Sequence, residues 1–271
     1  MKSIMILYPN IMILKTRNHD LYKEEEMTDN DNILNVLKTI EEDDFNINNS
    51  SYTYNGFVVP RVTEILSKCI HSDSLMYWAN SLGFKHNSYK KTMEMYAGWG
   101  TDCHNHIDKF IESDFKNRGT PSSQQATNAF DSYLFWFDDI NQTNNIYVKM
   151  HEQPIACRYF GGTLDGLYEI NGKLYLIDYK TSNTITFKYC LQLAAYRYIL
   201  RTEYGIEVDG CLILQLSKNE ISYKEWFLDF AVPDHLKYID ECEHAFLSLV
   251  YAYYNILKVE NGFNQINWNW E

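Results

Sequence analysis

The sequence predicts an α/β protein: a central mixed sheet flanked by helices, with an N-terminal helical part. Three observations carry this. Helical periodicity dominates residues 64–141, strand-like runs replace it over 146–179, and a helix, two more strands and a long helix follow. Strands framed in this way by helices form a sheet covered on its faces.

Residues 1–50 read as an extension and residues 51–271 as the main domain. The apolar start, Ser3 to Leu14, is broken by Pro9-Asn10 and reads as two short strands; acidic runs follow, and 32–42 fits one helix. Phe57-Val-Val-Pro-Arg-Val62 is β-like, although Pro60 limits its ladder. Thr63 is the expected N-cap of a helix over 64–70. Helical patterning recurs at 73–83 and 90–114. From Gln124 to Asn141 it places Phe130, Leu134 and Phe137 at i, i+4 and i+7, the core face of an amphipathic helix. Ile146 to Glu152 alternates like a strand. Leu164–Ile170 and Lys173–Tyr179 flank Asn171-Gly172, the strongest short signal for a two-residue hairpin. The second run is apolar on both faces, as a strand covered on both sides would be. A helix over 186–203, strands at 211–216 and 223–228 and a helix over 233–258 complete the domain.

Composition narrows the class. A chain of 271 residues with 45% hydrophobic content builds its core without disulfides or structural metal. The net charge of −12 argues against broad polyanion binding, but clustered carboxylates are also what a divalent cation requires. The six cysteines are scattered without a C-x-x-C, which excludes a disulfide scaffold, a zinc knuckle and the close run of an iron–sulfur protein. The N-terminus lacks a small-residue cleavage site, and no stretch is long enough to span a membrane. The expectation is a cytoplasmic protein with no membrane partner. Richness in Asn, Ile, Lys and Tyr suggests an AT-rich, viral genome, which would make it the host's cytoplasm.

The chemistry gathers on the hairpin. Asp165 and Asp178 lie about six residues on either side of the turn, which sets them side by side across the ladder. Two carboxylates in contact repel unless a cation or a proton intervenes, and Mg²⁺ is commonly held by such a pair. Lys180 shares the face of Asp178 and could orient a metal-bound water. Gly161-Gly162 removes side chains beside Thr163, where a phosphodiester could approach. Taken alone, Asp178-x-Lys180 equally describes a surface ion pair. Gln192 and Tyr196, four apart on the next helix, could face substrate or simply pack. His104 or His106 could ligate a metal, as could Glu152, and each could equally be an ordinary polar side chain.

Gly162-Thr-Leu-Asp165, Asp178-Tyr-Lys180-Thr-Ser and Gln192-Leu-Ala-Ala-Tyr196, in this order, resemble the PD-(D/E)XK nuclease superfamily. The Q-x-x-x-Y element points to its RecB-like exonuclease branch. Val59-Pro-Arg-Val-Thr-Glu-Ile-Leu66, Trp78 and Gly100-Thr-Asp-Cys-His104, with Ile107 and Glu112, are similar to the mitochondrial genome maintenance exonucleases and their phage relatives. The likeness spans about 57 to 216. It implies a restriction-endonuclease-like core and an exonuclease acting on single-stranded DNA, with RNA left open. Asp165 and Asp178 would bind Mg²⁺ or Mn²⁺ with the Tyr179 backbone carbonyl, His104 and, more loosely, Glu152. Lys180 would position the attacking water, and Gln192, Tyr196 and Thr163 would orient the hairpin or the substrate. His106 does not fit the pattern, and the cysteines of the iron–sulfur members are absent, so no such cluster is expected.

Overall fold

The computed structural model describes residues 52–71 and 73–266, together with Asn35, Leu37, Lys38 and Ile40. The strands expected around Pro9-Asn10 and the acidic runs lie outside the described residues. Asn35 and Leu37 are helical, inside the helix expected over 32–42. Leu37 is fully buried in the main core, so this part of the extension packs as part of the domain.

The protein is α/β, with a five-stranded mixed sheet between two helical layers. A small hairpin, β1 (Tyr52–Tyr54) and β2 (Phe57–Val59), leads into α1 (Val62–Cys69). Thr63 is not the N-cap. Arg61 is extended, Pro60 and Arg61 are tied to the sheet through Gly161, and the helix begins at once with Arg61 as an N-cap that makes no side-chain capping bond. Next come α2 (Asp73–Phe84), α3 (Tyr89–Glu112) and α4 (Gln124–Asn141). Ser88 and Ser123 cap α3 and α4 by accepting from the N–H groups of Lys91 and Ala126.

The sheet follows: β3 (Ile146–Ala156), β4 (Gly161–Ile170), β5 (Lys173–Lys180), β6 (Gly210–Leu216) and β7 (Tyr223–Asp229), paired in that spatial order. Only β5–β6 is parallel, because α5 (Phe187–Ile199) crosses between them. Asn171 and Gly172 both have positive φ (52° and 82°), the two-residue turn that suits the twist of a hairpin. After α5 the chain widens into a π turn, Leu200–Tyr204, and stops at left-handed Gly205. The final helix, α6, runs from Pro233 to Gln265, beyond the expected 258.

Alternation along the strands feeds two cores. Leu176, Cys211 and Ile213 pack with α1, α5 and α6, whereas Ile177, Tyr179, Leu212 and Leu214 pack with α3 and α4. β5 is therefore covered on both faces, as its two-sided apolar pattern requires. Among the described residues no helix is long and apolar enough to cross a membrane.

Candidate metal centre

The hairpin register pairs Gly166 with Ile177, which makes Asp165 and Asp178 the next positions of the same register. The β4–β5 ladder ends at the Gly166–Ile177 pair. Asp165 Oδ2 instead accepts the Tyr179 N–H at 2.7 Å, so a side chain satisfies an amide where the backbone pairing stops. The other oxygen, Oδ1, faces His104, 3.6 Å from Nδ1.

His104 enters from α3. Its Nδ1 lies 3.2 Å from Glu152 Oε1 and its Nε2 3.2 Å from the Tyr179 carbonyl oxygen. Burial works against a charged imidazole here, but Asp165 and Glu152 outweigh it and push the pKa up to about 9. Ligand atoms of His104, Glu152 and Asp165 lie within 4.8 Å of one another, and this group could hold a metal ion.

Asp178 stands beside this group rather than in it. It is 1% exposed, and Lys180 Nζ lies 2.6 Å from its Oδ2. Oδ1 has no hydrogen-bond partner among the described residues. Burial first, then the Asp165 charge, raises its pKa to about 6, against the pull of Lys180. An unpartnered buried carboxylate oxygen is costly, and a cation is one thing that compensates it. The nearby donors are carboxylate and carbonyl oxygens with one imidazole, a set that suits Mg²⁺ or Mn²⁺ better than a thiolate-seeking metal. Lys180 keeps its proton because Asp178 and Asp165 overcome the penalty of burial, and its ammonium sits 4.9 Å from the centre of the Tyr189 ring of α5.

The remaining expected residues support the hairpin. Gln192 Nε2 donates to the Tyr196 hydroxyl at 3.2 Å, and both side chains are buried. The Tyr196 ring fills the space left by Gly162, where an added Cβ would come within 2.6 Å of it, and Tyr52 likewise crowds Gly161. The glycine pair thus admits two tyrosines rather than leaving room for a phosphodiester. The Thr163 hydroxyl bonds Tyr52 at 2.8 Å. His106 donates to the Asp102 carbonyl of its own helix, away from the metal group.

Three features have no counterpart in the sequence reading. Glu152 has a left-handed backbone, φ +41°. The hydroxyls of Tyr133, Tyr168 and Tyr179 form a buried chain at 2.9 and 2.6 Å beneath the site, with Gly166 making room for it. His151 is bonded to Asp108 at 2.6 Å. Only the last leaves a trace in sequence: His104 and Asp108 are four apart on one helix, and His151 and Glu152 are adjacent on one strand.

No family model matches the chain, and no curated protein does. Among solved structures, it is similar to one titled "Crystal structure of SSO0001", at 12% identity over 64% of this chain and 75% of that one, with a TM-score of 0.26. A likeness that low carries no argument about either fold or function.

Proposed function

We propose that this protein is a divalent-metal-dependent nuclease of the PD-(D/E)XK kind, an exonuclease acting on single-stranded DNA ends. One observation supports this above all: the His104–Glu152–Asp165 group adjoins a buried Asp178–Lys180 pair whose Asp178 Oδ1 lacks a hydrogen-bond partner among the described residues. A surface ion pair does not account for a carboxylate that is both buried and half unsatisfied. Asp165, Asp178, Glu152, His104 and the Tyr179 carbonyl would hold Mg²⁺ or Mn²⁺, without an iron–sulfur cluster. Bound there, the ion would supply Lewis acidity towards a phosphoryl oxygen and the attacking water. Lys180 would hold that water and offset charge growing on the phosphate. Gln192 and Tyr196 would keep β4 in place, and Thr163 would do so through Tyr52. The six free cysteines, four of them buried, accord with a reducing compartment, and we place the activity in the cytoplasm.

The test uses purified protein with end-labelled linear and with circular single-stranded DNA, in Mg²⁺ or in EDTA. Cutting of the linear substrate alone is expected. Cutting of both would make it an endonuclease of the same chemistry. If neither DNA nor RNA is cut in a metal-dependent way, the enzymatic reading fails and a binding scaffold remains. Asp178→Ala should abolish turnover in a folded protein.

A further inference from the structure

The left-handed backbone of Glu152 lies inside β3, where an L-residue adopts it at a cost and keeps it only if its surroundings impose it. Its neighbours indicate what imposes it. In a regular strand, consecutive side chains point to opposite faces. His151 and Glu152 are consecutive, yet both reach α3: His151 Nδ1 donates to Asp108 Oδ1 at 2.6 Å, and Glu152 Oε1 meets His104 Nδ1 at 3.2 Å. His104 and Asp108, four apart, occupy one face of α3 on successive turns. Two adjacent strand residues thus engage two stacked helix residues, which an undistorted strand cannot do. The ladder agrees. His151 pairs with Gly166 and Gln153 with Leu164, while Glu152, which falls opposite Asp165, is passed over.

We propose that Asp108 and His151 are positioning residues, a clamp that fastens β3 to α3 one turn beyond His104 and so holds Glu152 in the backbone that delivers its carboxylate to the metal group. The consequence at the ion rests on the metal-site reading above; the clamp itself does not. The polarity of the two bonds is reversed, with a helix carboxylate and strand imidazole in one and a helix imidazole and strand carboxylate in the other. Asp108 can therefore anchor the strand without competing for His104.

The full-length chain is tested in two ways. The first titrates Mn²⁺ and follows it by electron paramagnetic resonance. Asp108→Ala should weaken Mn²⁺ binding by about 10- to 100-fold, the usual effect of removing a group that orients a metal ligand. Asp108→Asn, which keeps an acceptor for His151, should retain most of the affinity. His151→Phe is the second disrupting variant should Asp108→Ala fail to fold. Unchanged affinity in a folded disrupting variant overturns the delivery of Glu152. The second test uses no metal. It compares the melting of Glu152→Gly and Glu152→Ala, first alone and then each combined with Asp108→Ala. Alone, the glycine variant should melt higher. Combined, its advantage should vanish, because the released strand can relax. An advantage of unchanged size overturns the clamp. A wild-type protein that takes up no Mn²⁺ sinks the metal reading, and the melting comparison still decides the clamp.

Discussion

Replacing Glu152 by glycine and by alanine gives a measurement whose sign the structure fixes. Both substitutions remove the carboxylate and its bond to His104, so that loss cancels in the comparison. What remains is the backbone. At an ordinary strand position alanine is favoured over glycine by about 0.5–1 kcal/mol, because glycine loses more freedom on folding. At φ +41° the order reverses, since a Cβ in left-handed backbone costs about 1–2 kcal/mol. At mid-range values the glycine variant is ahead by about 0.75 kcal/mol. For a chain of this size that is about 1–2 °C in melting temperature, so paired urea titrations are the better assay. They should be run in EDTA, to keep metal linkage out of the result. An alanine variant as stable as the glycine variant, or more stable, would refute the claim that position 152 is held in strained backbone.

The metal group predicts a thermal shift: Mn²⁺ at 100 times its Kd should add about 2.7 kcal/mol, or about 5 °C, by differential scanning fluorimetry, and EDTA or Asp165→Ala should remove the effect. Tyr168 bonds both of its tyrosine neighbours, so Tyr168→Phe leaves two buried hydroxyls short of a partner and should cost about 1–3 kcal/mol in urea unfolding. Lys218, 9% exposed, lies over the Tyr96 ring with no carboxylate partner among the described residues, and burial lowers its pKa. A depressed lysine destabilises the fold where it is charged, and the effect fades as pH rises through its folded value towards its unfolded one. Lys218→Met should therefore exceed wild type in stability at pH 7 and lose that margin on the alkaline side, measured by urea titration across the range.

Several elements were legible because a local pattern decides them. The Phe130–Leu134–Phe137 spacing marks α4 from end to end, and Asn171-Gly172 fixes the hairpin and, with it, the register that sets Asp165 and Asp178 level. The two-sided apolar run of β5 matches its place in the middle of the sheet. Elsewhere tertiary contacts decide. Thr63 looks like a cap, but the tie between Pro60 and Gly161 sets the start of α1 two residues earlier. A glutamate gives no local sign of a left-handed backbone, because the conformation at 152 comes from partners 44 and 48 positions away rather than from its neighbours. Gly161 and Gly162 signal close approach, but not what approaches, and the occupants are Tyr52 and Tyr196. Composition and spacing also do not reveal that Asp178 turns to Lys180 while Glu152 joins His104 and Asp165.

The Asp165 bond to the Tyr179 amide also bears on which ion the proposed centre would favour. With Oδ2 accepting that N–H, Oδ1 is the less encumbered oxygen of Asp165, which favours single-point over two-point ligation. Calcium prefers six to eight oxygens in a roomy shell and often grips a carboxylate through both atoms, whereas magnesium accepts one oxygen from each group and keeps its waters. If the proposed centre holds an ion, ending the ladder on a side chain would favour the smaller, more hydrated one, and a strand terminus would become an element of ion selectivity.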